Sequence, residues 1–212
     1  METSRIMRLV ALALLALGSL AGPKARGAYV ITMAEVGNDV VATGNGSLDF
    51  TDLTAVGNGG DVGYVQANEA LLIVASPSPS SLDSYYSGIS GPTNFGPGGG
   101  TLLDDASTGN GNIVGIFGNY GELIVPYVYT SGTSLGTTTS TWDEATYASL
   151  GLIPGTYIWT WGTGSDSDSL TLNIAPVPES PSLALLGTGL AGLGLSRRFI
   201  NRRQANRARA FR

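Results

Sequence analysis

Residues 155–174 read GTYIWTWGTGSDSDSLTLNI, and their pattern decides the fold class. Tyr157, Trp159 and Trp161 alternate with Thr156, Ile158 and Thr160, so the three rings share one face of an extended segment. Leu170, Leu172 and Ile174 alternate in the same way, and the residues between, Gly162 to Asp166, are turn formers. Two arms of period two around such a turn predict a β-hairpin that sets aromatic and aliphatic side chains opposite each other. Pro154-Gly155 turns the chain into it.

The same period recurs upstream. Tyr29–Met33 and Asp39–Thr43 are β-branched runs separated by Gly37-Asn38, a pair suited to a tight hairpin. Ser47–Leu53 alternates polar and apolar residues, which predicts a strand with one wet face, closed by Gly57-Asn58-Gly59-Gly60. Ala70–Val74 is the most apolar run of the body and reads as a central strand. Ile113–Phe117 and Glu122–Tyr129 make a second hairpin about a turn at 118–121, with Pro126 pointing to an edge or a bulge. Between Ser76 and Gly111 the period is lost, which predicts a long packed loop with at most one short strand, tied down by Tyr85, Tyr86 and Phe95. Asp143–Leu150 is the one expected helix, about two turns long, with acids in its first turn and Gly151 behind it. Short strands joined by Gly-rich turns define an all-β body, an antiparallel sandwich or jelly-roll-like domain.

Charge divides the chain more sharply than hydropathy does. From Ala28 to Val177 there are fourteen Asp and Glu residues and no Lys, Arg or His; every basic residue lies in a terminal segment. A body of that charge repels phosphate backbones, so nucleic acid is not a partner. The absence of His and Cys from the whole chain, and of Lys from the body, removes the usual general bases, Schiff-base lysines and zinc ligands. The body is therefore expected to be no enzyme and to carry no cofactor.

Both ends carry targeting patterns. Residues 1–27 have the layout of a signal peptide: Arg5 and Arg8 precede the apolar run Leu9–Leu17, and Gly27 and Ala28 flank the expected cut. Residues 28–176 form the extracytoplasmic body. Residues 177–212 read VPESPSLALLGTGLAGLGLSRRFINRRQANRARAFR. The apolar run Leu183–Leu195, with Val177 onward added, predicts a transmembrane helix, and Arg197, Arg198, Arg202 and Arg203 supply a stop-transfer signal on its cytoplasmic side.

The order Val177-Pro178-Glu179, glycine-bearing apolar run, then Arg197-Arg198 resembles the PEP-CTERM sorting tail of exported proteins in Gram-negative bacteria that make extracellular polysaccharide. The likeness covers about 177–203. It implies a sorting motif at Val177, Pro178, Glu179 and Ser180, and processing by an exosortase-type enzyme in the inner membrane. It also implies delivery to the cell surface or extracellular matrix, with exopolysaccharide at hand as a partner. This chain departs from the family at Ser180, where the motif carries a second proline; Pro181 follows one step later. Residues 150–162, LGLIPGTYIWTWG, resemble domains that often precede such tails, whose activity is not established.

Three constellations in the body admit a sharper reading beside a structural one. The stripe of Tyr157, Trp159 and Trp161 suits sugar stacking in a carbohydrate-binding module of the exopolysaccharide matrix, though such stripes more often fill a core. Asp166 and Asp168, with Asp104 and Asp105, are chemically fit for calcium, yet the spacing lacks the Gly and distal Glu of an EF-hand loop, so turn chemistry is favoured and no metal is assigned. Glu122 with Glu144 or Asp143 is formally a carboxylate pair of the glycosidase kind, against the commoner case of solvated surface acids. The favoured expectation is a structural or adhesive β-domain.

Overall fold

A computed structural model describes residues 28–76, 82–99 and 103–177. Along them run β1 (Ala28–Val36), β2 (Asp39–Ser47), β3 (Thr54–Gly59), β4 (Tyr64–Gln66), β5 (Leu71–Val74), β6 (Asp83–Ser87) and β7 (Asp104–Asp105). There follow β8 (Thr108–Asn110), β9 (Val114–Phe117), β10 (Glu122–Pro126), β11 (Ser134–Trp142), β12 (Gly155–Trp161) and β13 (Asp168–Ile174). The strands form a six-stranded sheet, β12-β13-β1-β2-β11-β8, and a seven-stranded sheet, β3-β6-β10-β9-β5-β4-β7. The described residues up to Ala175 form one compact unit.

The domain is all-β, with two sheets sharing one core. Tyr29, Ile31 and Met33 of β1 and Leu170, Leu172 and Ile174 of β13 belong to the same buried cluster as Leu72 and Val74 of β5 and Leu123 and Val125 of β10. Alternation explains the assignment, since each second residue of a strand faces the opposite sheet. The expected hairpin of β12 and β13 forms, with Trp159 opposite Leu170 and Tyr157 opposite Leu172. So does β1–β2, where Gly37 at φ 68° meets the positive φ required by a two-residue turn.

The antiparallel expectation holds for every strand pair but one. β1 and β13 run parallel, in register from Ala28 beside Ser169 to Met33 beside Ile174. No local pattern encodes that pairing, because the two strands are separated by nearly the whole body.

Several local expectations are corrected. Asp143–Leu150 is a series of turns, with Glu144 at φ 53° and a single helical bond from Leu150 N–H to Thr146 C=O at 3.0 Å. Two turns are too short to offset helix nucleation, and better acceptors compete for the amides. The Glu144 N–H donates to Asp39 Oδ1 at 2.9 Å and the Tyr147 N–H to Glu35 Oε1 at 2.6 Å. The strand expected over 47–53 stops with β2 at Ser47, because Asp49 folds back to accept the Thr51 N–H at 3.0 Å. Gly57, Asn58 and Gly59, read as a turn, end strand β3. The stretch between Ser76 and Gly111 holds three strands, β6, β7 and β8, with Tyr85 and Tyr86 inside β6. Pro126 lies neither at a sheet edge nor at a bulge: β10 runs between β6 and β9, and Pro126 is tolerated because the β9 ladder stops at Ile124. Tyr127–Tyr129, expected to continue that strand, turn away from it.

Trp159 carries much of the packing. It is 0 % exposed, and its indole N–H donates to the Pro92 carbonyl at 2.9 Å. Trp159→Ala is expected to lower unfolding free energy by about 3–5 kcal/mol through lost apolar burial and a cavity. Urea denaturation of the wild type and the variant, with unchanged m, measures it.

Candidate functional site

The ring stripe of Tyr157, Trp159 and Trp161 packs into the interior, the commoner of its two readings. Trp161 is buried and donates its indole N–H to the Asp49 carbonyl at 2.6 Å, while Trp159 lies deeper still. The half-buried Tyr157 packs edge-on against Phe95, with ring centroids 5.9 Å apart, and its hydroxyl donates to the Ile153 carbonyl at 3.1 Å. The two tryptophans present no free ring to a sugar, so the platform reading is withdrawn for them. Between Tyr157 and Trp159, Ile158, 48 % exposed, faces outward.

The acidic candidates do not converge either. Asp168 is buried and accepts the Asp49 N–H and the Ser169 N–H, both at 2.6 Å, so it pins a loop to β13. Asp166 ends a short 3₁₀ turn at Gly164–Asp166 and accepts the Ser165 hydroxyl at 3.0 Å. Asp104 and Asp105 form β7 and line a shallow groove with Asp143 and Glu144, whereas Glu122 is on β10, outside that lining. Among the described residues no three acidic, His or Cys side chains gather to hold a metal ion. Ala28 opens β1 and Val177 is half exposed. Gly27, Pro178, Glu179, Ser180, Arg197, Arg198, Arg202 and Arg203 lie outside the described residues. So do the expected signal and transmembrane helices; among the described residues no helix is long and apolar enough to cross a membrane.

A different feature emerges on the outer face of the six-stranded sheet. Strand register brings Thr156, Asn173, Thr32, Thr43, Thr139 and Asn110 into one unbroken row across all six strands. A second row holds Ile158, Thr171, Val30, Asn45 and Thr137, and a third Ala34, Val41, Thr141 and Thr108. None of these positions carries a charge, in a body that has fourteen carboxylates. Strands about 4.8 Å apart and outward residues about 6.8 Å apart make the rows a flat lattice, the longest about 24 Å across.

The side chains suit weak, repeated contact. Each threonine hydroxyl both donates and accepts, and its β-branch restricts χ1, so little rotamer freedom is lost when a partner docks. Asn45 Nδ2 donates to Thr137 Oγ1 at 3.0 Å and Thr156 Oγ1 to Asn173 Oδ1 at 2.7 Å, which holds part of the lattice in place. The exposed Thr32 and Thr43 sit side by side in the longest row. Sequence reading missed this face, although its signal was present as Thr or Asn at every second position of 137–141, 43–45 and 171–173. Those segments become neighbours only through the register of distant strands.

No protein-family model matches the chain, and neither a curated protein sequence nor a solved structure is similar to it.

The carboxyl of Asp168 is raised above the usual carboxylate range, first by burial and then by the neighbouring Asp49 charge, against two backbone N–H bonds that lower it. A raised folded value means that the native state binds the proton more tightly than the unfolded chain. Its stabilising contribution is therefore present below the unfolded value and lost as pH rises through the folded one. Repulsion within the acidic body acts in the same direction. Unfolding free energy is expected to be higher at pH 4.5 than at pH 7.5, and 1 M KCl is expected to narrow the gap by screening the repulsive part. Denaturant titrations at the two pH values measure both effects.

Proposed function

We propose that the protein is exported and held in the inner membrane by its C-terminal segment. It is then delivered to the cell surface or matrix by an exosortase-type enzyme, and works there as a structural or adhesive β-domain. The sorting half of this reading is supported by the PEP-CTERM-like order Val177-Pro178-Glu179, apolar run and arginines, together with the signal-like residues 1–27. A body without one basic residue is consistent with passage across a membrane that retains positive charge on the cytoplasmic side.

The observation that carries the adhesive half is the uncharged Thr and Asn row from Thr156 to Asn110. A flat field of hydroxyls and amides matches a neutral polysaccharide, whose hydroxyls pair in both directions and whose ring faces rest on methyl groups. An anionic polymer would meet the acidic remainder of the body and be repelled. A carbohydrate-binding module is the second reading, and the same face favours it without any exposed tryptophan.

Two measurements test these halves separately. Mass spectrometry of the matrix fraction is expected to find a mature form cut near Ala28 and near Val177–Ser180; a matrix form still ending at Arg212 rules out processing at the tail. For the face, the double variant Thr43→Glu, Thr139→Glu is expected to lose at least about tenfold in retention on a neutral polysaccharide. The two positions face each other across β2 and β11, so their like charges are expected to lower stability by up to about 1 kcal/mol, and retention is compared on protein that circular dichroism shows to be folded. Equal retention of variant and wild type rejects this face as the contact surface.

A further inference from the structure

The seven-stranded sheet holds a carboxylate pair whose charge no side chain of the body balances. Asp83 opens β6 and is 0 % exposed. Its Oδ2 accepts the Asp61 N–H at 2.9 Å, while its buried Oδ1 has no hydrogen-bond partner at all. Asp61, between β3 and β4, accepts the Tyr85 hydroxyl on its own Oδ2 at 2.8 Å. Across the ladder from Asp83 stands Gly59, where a Cβ would strike the Tyr85 hydroxyl and come within 2.9 Å of Asp83 Oδ1. Glycine thus leaves room for the Tyr85 hydroxyl beside the orphan carboxylate oxygen.

Burial of an unpaired carboxylate oxygen is costly, and a second carboxylate beside it adds repulsion. The ordinary remedy is an Arg, Lys or His, and the body from Ala28 to Val177 contains none. The compensating charge comes either from a proton or from a cation outside the domain's own side chains, and calcium addition tells the two apart. Burial, and secondarily the Asp83 charge, push the Asp61 carboxyl up, as expected for a pair lacking its counter-ion.

We propose that Asp61, Asp83 and Tyr85 form a binding site for calcium. Two carboxylates balance the divalent charge, and Tyr85, backbone carbonyls and water complete a shell of six to eight oxygens. Calcium fits better than magnesium, which demands near-ideal octahedral geometry and keeps its water. With only two acids the affinity belongs to the weak class of extracellular modules, a dissociation constant of about 10⁻⁴–10⁻³ M. The site is distinct from Asp104, Asp105, Asp166 and Asp168, the acids that sequence spacing singled out.

The test is thermal unfolding of the full chain in detergent, after chelation, with CaCl₂ or with KCl at matched ionic strength. Calcium at 10 mM is expected to raise Tm by about 3–10 °C over KCl, from mass action on the folded state. Asp83→Asn is expected to abolish the rise. Should that variant fail to fold, Asp61→Asn carries the comparison. Terbium provides a second readout, since Tyr85 and Tyr64 lie close enough to sensitise its emission; competition by millimolar calcium and a weaker signal in Tyr85→Phe are expected. A wild-type Tm indifferent to calcium means that water alone fills the space and overturns the proposal. An equal calcium rise in wild type and the foldable Asp variant overturns it too.

Discussion

Carboxylates in this domain have no basic side chain of the body to pair with, and the fold depends on what they find instead. Asp49, Asp168, Asp39, Glu35 and Asp52 each accept a backbone N–H from a residue that belongs to no helix. Such charge-assisted bonds are shorter and stronger than neutral ones, and they satisfy amides that loops would otherwise leave to water. Asp52 and Asp168 tie the 49–52 turn to both ends of the β12–β13 connection, through Thr163 N–H at 3.1 Å and Asp49 N–H at 2.6 Å. Glu35 and Asp39 do the same at the far end of the β1–β2 hairpin, where they capture the segment that follows β11. An acidic composition that first suggests only solubility is also the means by which Gly-rich loops are held.

The two sheets answer to different demands on their outer faces. The seven-stranded sheet carries a second apolar cluster there, with Tyr64, Leu71, Ile73 and Ile124 buried and Tyr85 and Phe117 packed against it. The six-stranded sheet presents threonine and asparagine in ranks. Burial explains the first, since β-branched and aromatic side chains remove the most apolar area per residue. For the second, water is an adequate partner for each hydroxyl, so stability alone does not require the ranks to be free of acids.

Much of the fold was legible because β-periodicity is local. Alternation identified β1, β2, β12 and β13, a continuous apolar run marked β5, a second hairpin marked β9 and β10, and Gly37-Asn38 marked a turn whose geometry the glycine fits. Where side chains overrode local propensity, reading failed: Asp39 and Glu35 captured amides that the 143–150 helix needed, and Asp49 ended an alternating run by turning back on the chain. The candidate surface was less legible for a deeper reason. Each of its threonines looks like an ordinary wet position, and the row exists only when strands as distant as β1 and β13 are neighbours. Tryptophans attracted attention that burial then redirected, because an alternating ring stripe reports a face without saying which side of the sheet it is on.

The parallel pairing of β1 with β13 has a mechanical meaning. Ala28 starts beside Ser169 and Met33 lies beside Ile174, so the chain enters at one end of this strand pair and leaves at the other. A pull applied between those two points loads the β1–β13 hydrogen bonds along the strands, in shear, and they must yield together instead of unzipping one by one. Forced unfolding is governed by the barrier to such a collective event and not by equilibrium stability. A pull between those two ends would thus be resisted by β1 and β13, two neighbouring interior strands of the six-stranded sheet, acting as a clasp.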